Sequence, residues 1–255
     1  MEKYFFNSSV YMLWEFTQSM TRSMEMNEST NNKHMVKSTS TYIDQLLENH
    51  SKIQVIRLDL SYTKEHAREA SLEEINQDLK HLLNNRRTKP SIFENMVGYI
   101  AKREYTEDKG PHIHSIFIYD GQKIRKDAHK GDQIGQYWKN EITEGKGIYH
   151  NCNREKDKYP ECALGMIDHT DDAKRTVLKE KAIAYLCKEE QSVDPIKQSG
   201  NERSFSRGIA PRKQSKAGRR RQGESTDAPD CGLEGESWGL DRLDSPDDQI
   251  STQND

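Results

Sequence analysis

The most constraining stretch of this 255-residue chain is residues 111–119, Pro-His-Ile-His-Ser-Ile-Phe-Ile-Tyr, an apolar run carrying two histidines one residue apart. Read as a strand, its side chains alternate, so His112 and His114 project on one side while Ile113 and Phe117 face the other. Residues 96–105 read as a second strand, and the five residues between the two, Thr106-Glu-Asp-Lys-Gly110, suit a hairpin loop. Pairing Tyr105 with Pro111 sets Glu104 across from His112 and Lys102 across from His114 on one face. A carboxylate and two imidazoles converging there suit a divalent metal that keeps open positions for water and substrate. A register one residue out would turn Glu104 to the opposite face. The plainer alternative is that the histidines are hydrogen-bonded side chains of an ordinary strand.

Around this hairpin the chain alternates strand and helix patterns. Residues 53–62 form a strand with Ile56, Leu58, Leu60 and Tyr62 on one face; Ile53, Val55, Arg57, Asp59 and Ser61 form the other, which turns polar toward its end. Thr41 with Asp44 offers a cap for a helix through Ile43, Leu46 and Leu47, expected at the edge of the domain. Ser71-Leu-Glu-Glu74 is a capping box opening a helix with Leu72, Ile75, Leu79, Leu82 and Leu83 on its buried stripe. A helix over 126–142, short strands near 148–152 and 163–167, and a helix from Asp171 to about Glu190 complete the pattern. The order predicts an α+β domain with a mostly antiparallel sheet and helices on one face.

Domain organisation follows from composition. Only 32% of residues are hydrophobic and the mean hydropathy is −1.05, so part of the chain is expected to stay disordered. The chain is expected to divide into an N-terminal helical segment (1–50), a central domain (51–191) and a disordered tail (192–255). Residues 203–221 hold eight cations and no acid (Arg203, Arg207, Arg212, Lys213, Lys216, Arg219, Arg220, Arg221), whereas residues 222–255 hold ten acids and one arginine. The basic segment suits sequence-independent contact with nucleic-acid phosphates. No run approaches the roughly 20 apolar residues of a membrane span, and the N-terminal residues carry no signal-peptide pattern. The cysteines at 152, 162, 187 and 231 form no Cys-x-x-Cys pair, which favours reduced thiols and a cytoplasmic location. His150, Cys152, Cys162 and His169 provide an alternative zinc set of irregular spacing.

In the last helix Tyr185-Leu-Cys-Lys188 puts a phenol and an ammonium three residues apart, as neighbours on one helical face. A phenol with a pKa near 10 is a weak nucleophile; a nearby cation and a metal-polarised phosphate would activate it. The same spacing at Tyr99-Ile-Ala-Lys102 falls on a strand, where residues three apart face opposite sides. Tyr99 is therefore expected in the core, leaving Tyr185 as the candidate nucleophile.

Three motifs in order, Val55-Ile-Arg-Leu-Asp-Leu-Ser61, Arg103-Glu104 with Gly110-Pro-His-Ile-His114, and Tyr185-Leu-Cys-Lys188, resemble those of HUH endonucleases, within them the inovirus-type rolling-circle replication proteins of filamentous phages and prophages. The resemblance spans residues 53–188. It implies a ferredoxin-like or RRM-like sheet with the HUH motif on a central strand, and Mg²⁺ or Mn²⁺ held by His112, His114 and Glu104. Tyr185 would attack a DNA phosphate to leave a 5′-phosphotyrosyl link and a free 3′-hydroxyl, with Lys188 assisting. Arg57 and Asp59 match the first motif, which supports the site. Implied partners are single-stranded or origin-hairpin DNA and the replication machinery of a bacterial host, with no membrane. No Gly-x-x-x-x-Gly-Lys phosphate loop is present, so no helicase module follows. The competing readings are a relaxase or transposase relative with the same chemistry, and a non-enzymatic nucleic-acid-binding module built on the same sheet.

Overall fold

The computed structural model describes residues 32–158, 161–187, 193, 196–197 and 203–211. The chain divides between Ala217 and Gly218, and the described residues all belong to the first part. It is an α+β domain: β1 (Lys52–Tyr62), α3 (Leu72–Asn84), β2 (Met96–Thr106), β3 (Gly110–Asp120), α5 (Asp127–Tyr137) and β4 (Gly147–Asn151) form two split β-α-β units. Their strands pair in the order β4-β1-β3-β2, all antiparallel. This is the ferredoxin-like arrangement expected, with the histidine strand β3 in the centre. The short helices α2 (Lys64–Ala67) and α4 (Pro90–Phe93) lie in the connection from β1 to β2.

Each element forms for local reasons. The side-chain oxygen of Ser71 accepts from the Glu74 N–H (3.0 Å), capping α3 as the sequence predicts. Leu72, Ile75, Leu79 and Leu82 of α3 then pack with Ile134 of α5, with Tyr137 and Trp138, and with Leu58, Leu60, Ile113 and Phe117 of the sheet. Tyr105 pairs with Pro111 as expected, although Thr106 and Gly110 also pair, which leaves a tighter turn of three residues. Gly110 has φ +66°, and a Cβ there would lie 2.3 Å from the Ala67 carbonyl oxygen, so this turn needs glycine.

The helices do not all lie on one face. The opposite face begins with Ile53 and Val55 of β1 and Ile116 and Ile118 of β3, too apolar to meet water. It is covered by α1, helical over 32–49, and by the C-terminal helical run. Tyr42, Ile43, Leu46 and Leu47 of α1 are fully buried, so this helix belongs to the core rather than to the domain's edge. Thr41 lies mid-helix and donates to Lys37 O instead of capping. The C-terminal run starts at Asp171, whose carboxylate accepts from Lys174 N. It comprises α6 (Asp172–Val177), a π turn (Leu178–Ile183) and α7 (Ala184–Leu186).

Two strands extend the sheet. β5 (Gly165–Asp168) pairs with the first half of β1 while β4 pairs with its second half. Asn153 fills the gap between them, accepting from Arg57 N–H (2.8 Å) and donating to Val55 O (2.9 Å) as a neighbouring peptide would. β6 (Phe205–Arg207) pairs with β2 at Ile100, Ala101 and Lys102. Residues 203–211 are thus not part of a disordered tail: the open edge of β2 and an apolar seat for Phe205 hold them. The assignments made from sequence to residues 1–31, and to the tail from 212 onward, lie outside the described residues.

Candidate metal and nucleophile site

The face covered by α1 and the C-terminal helices is apolar at one end and polar at the other. Strand register puts His150 of β4, Asp59 of β1, His114 of β3 and Lys102 of β2 in one row across the sheet, with His112 and Glu104 paired one row on. Among the described residues, Glu104, His112 and His114 form the one group able to hold a metal ion, with ligand atoms all within 4.8 Å of one another. The alternative set does not assemble there: His150 pairs with Glu155, and His169 with Asp168 and Ser51 O.

Hydrogen bonding fixes what each imidazole offers. His112 Nδ1 lies 3.0 Å from Gly110 O, and His114 Nδ1 lies 2.7 Å from Asp59 Oδ1. Both partners only accept, so both Nδ1 atoms carry the proton and both Nε2 atoms turn their lone pairs inward. Those lone pairs meet the same carboxylate oxygen, Glu104 Oε2, at 3.7 Å from His112 and 3.2 Å from His114. Three electron-rich atoms converging in a buried place require a cation between them. Without a metal that cation is a proton. Burial works against charge on His114, but its bonds to Asp59 and Glu104 prevail and push its pKa up to about 9. Burial likewise disfavours the Glu104 carboxylate, yet its bonds to the two histidines bring it down to about 2. The donor set, two nitrogens held by second partners and one carboxylate, fits a divalent metal in place of that proton.

Tyr185 is brought to this cluster as the sequence predicts. Its ring stands edge-on to His114, centroids 5.9 Å apart, and is 41% exposed. Tyr99 pairs with Phe117 and packs into the core on the other side of the sheet. Arg57 lies over the Tyr185 ring, with Cζ 5.1 Å from the centroid and Nε 3.6 Å from Asp59 Oδ1. Burial opposes charge on Asp59, but the bond from His114 and the nearby Arg57 leave its carboxyl below the usual range. Lys188 lies outside the described residues.

The hairpin register sets Lys102 opposite His114, and sequence reasoning gives it no role there. It is only 5% exposed on the site face, and its charge reaches both Glu104 and Cys187. A cation on the inward side of a strand is the signal that marks it. The two described tail cations are not equivalent. Arg203 is exposed, whereas Arg207 donates to Gly208 O and Ser38 Oγ and lies over the Tyr42 ring. Arg207 therefore anchors β6 against α1. Arg212, Lys213, Lys216 and Arg219 to Arg221 lie outside the described residues.

Compared with known proteins, residues 14–208 match the family model described as the YagK/YfjJ C-terminal domain. No curated protein and no solved structure matches.

Proposed function

The chain belongs to the YagK/YfjJ C-terminal domain family, and from that premise and the site's geometry we propose that it is a metal-dependent DNA nickase of HUH type. In this reading it cuts one strand through a 5′-phosphotyrosine and so starts rolling-circle replication of a phage or related mobile element in a bacterial host. One observation carries the reading: a half-exposed tyrosine stands against a buried His/His/Glu cluster whose lone pairs converge on a common point. A tyrosine packed only for stability would not need such a neighbour.

His112, His114 and Glu104 would hold the ion, Mg²⁺ or Mn²⁺. When bound, the ion would polarise a phosphate oxygen as a Lewis acid. Gly110 O and Asp59 keep the two imidazoles in the ligand tautomer and fix their planes. Tyr185 gives up its phenolic proton, and Oη attacks the phosphorus. The Tyr185 O–P bond forms as the P–O3′ bond breaks, and the departing 3′ oxygen takes up a proton. Lys188, three residues on, would assist in positioning or charge stabilisation, as the resemblance to HUH endonucleases implies. The partners are single-stranded or origin-hairpin DNA and, downstream, the host's replication proteins. Among the described residues no helix is long and apolar enough to cross a membrane.

Incubation with hairpin-bearing single-stranded DNA and Mn²⁺ should give an adduct that survives denaturing electrophoresis and maps to Tyr185 by peptide mass. Tyr185→Phe should abolish the adduct while DNA binding stays near wild type. An adduct that persists in that variant overturns the nucleophile. Binding without any adduct favours a non-enzymatic nucleic-acid module.

A further inference from the structure

Arg57 stands where an ordinary ion pair does not need it. Its guanidinium reaches back toward Asp59, with Nε 3.6 Å from Oδ1. The same carboxylate oxygen accepts from His114 at 2.7 Å. The guanidinium carbon lies 5.1 Å from the Tyr185 ring centroid, within the range at which a cation is held by an aromatic face. The ring then meets His114 edge-on, 71° between planes. Arg57 is fixed from behind as well, because its backbone N–H is held by Asn153. The result is one connected chain from the cluster to the nucleophile: His114, Asp59, Arg57, Tyr185.

We propose that Arg57 is the positioning residue for Tyr185, a guanidinium bed tethered by Asp59 that keeps the phenol ring against His114. The ring is 41% exposed, and its ring contacts are with His114 and Arg57. Without Arg57 it would be free to swing toward solvent. The flat guanidinium supplies a face that an ammonium cannot, so lysine is a poor substitute. The bed's place in catalysis rests on the nickase reading, whereas its effect on the ring does not.

The test uses the full-length, metal-free protein with labelled tyrosine and histidine rings, signals being assigned with Tyr185→Phe and His114→Gln. Wild type should show a nuclear Overhauser effect between the Tyr185 and His114 rings. Arg57→Ala should abolish it, and Arg57→Lys should fall between. An undiminished effect in Arg57→Ala overturns the proposal, and identical behaviour of Arg57→Lys and wild type overturns the role of the planar group. A second arm follows single-turnover adduct formation on a hairpin oligonucleotide with Mn²⁺. There Arg57→Ala should be roughly 2- to 30-fold slower, the span of a cation–aromatic interaction. Free guanidinium should recover part of the rate in Arg57→Ala and none in Tyr185→Phe. A ring that swings away in Arg57→Ala while the rate stays unchanged upholds the placing of the ring and overturns its place in catalysis. No adduct in wild type, with the Overhauser effect behaving as expected, sinks the nickase reading and leaves Arg57 as the residue that places Tyr185.

Discussion

Replacing Asn153 by alanine tests the frame on which the site is built. The side chain spans the interval on β1 where β5 has ended and β4 has not begun, and the residue is only 2% exposed. It makes three hydrogen bonds: from Arg57 N–H (2.8 Å), to Val55 O (2.9 Å) and to Asp127 Oδ2 (2.8 Å). Truncation would leave the two backbone groups without partners in a buried place, at about 1–2 kcal/mol each. Asp127 keeps Lys156 at 2.6 Å, so its loss should be smaller, about 0.5 kcal/mol. The sum is roughly 2.5–4.5 kcal/mol, a large part of the ~5–15 kcal/mol that holds a domain together. The thermal midpoint should fall by ~5–18 °C. Urea denaturation measures the energy, and hydrogen exchange at the Arg57 amide reports the local effect. A loss under about 1 kcal/mol, or an Arg57 amide as protected as in wild type, would refute the view that Asn153 acts as a rung of the sheet. Asn153→Asp keeps the acceptor but removes both donated bonds and sets a second carboxylate beside Asp127. It should be at least as destabilising at neutral pH.

Two further expectations concern the cation site and the tail. At pH 7 His114 is protonated, so Mn²⁺ should displace about one proton per site and bind roughly tenfold tighter per pH unit up to about 9. The raised pKa also means that the stability His114 lends the metal-free protein is whole below its ordinary value of 6.5 and is lost as pH rises through about 9. Calorimetry in buffers of different ionisation enthalpy counts the proton. Glu104→Gln should weaken Mn²⁺ binding, and an equal affinity would remove Glu104 from the ligand set. Deleting residues 212–255 while keeping β6 should flatten the salt dependence of single-stranded DNA binding, by about 0.7 in log–log slope for each phosphate the tail had neutralised. An unchanged slope rejects the tail as an electrostatic partner of DNA.

What can be read from the chain alone is whatever alternation and local spacing decide. The hairpin pairing of Tyr105 with Pro111 follows from the pleat and a short loop, and with it the meeting of Glu104, His112 and His114. The capping box at Ser71 and the two faces of β1 are local in the same sense. The position of Asp59 beside His114 depends on which strands neighbour each other across 55 residues of sequence, and no local pattern encodes that. β6 stays hidden because three residues in a polar stretch carry no periodicity; the edge of β2 recruits them. The second helical layer does leave a sign in the sequence: Ile53 and Val55 precede Arg57 and Asp59 on one face, and such a face needs a cover over its apolar half only.

The π turn at Leu178–Ile183 bears on how tolerant this protein can be of change. In a regular α-helix a buried Leu178 would be followed inward by Ala182, but the wider turn brings Ile183 inward instead, and Leu186 and Cys187 after it. Tyr185 is therefore presented to the cluster by one extra residue in the backbone winding. Deleting one residue between Leu178 and Ile183 would close the wide turn into a regular one, leaving Ile183 four residues after Leu178 and still facing inward. The phenol would keep its place against His114. A second deletion, with no wide turn left to absorb it, would rotate everything after it by about 100° and draw it back by about 1.5 Å. The aim of the nucleophile thus tolerates one lost residue in this turn and not two.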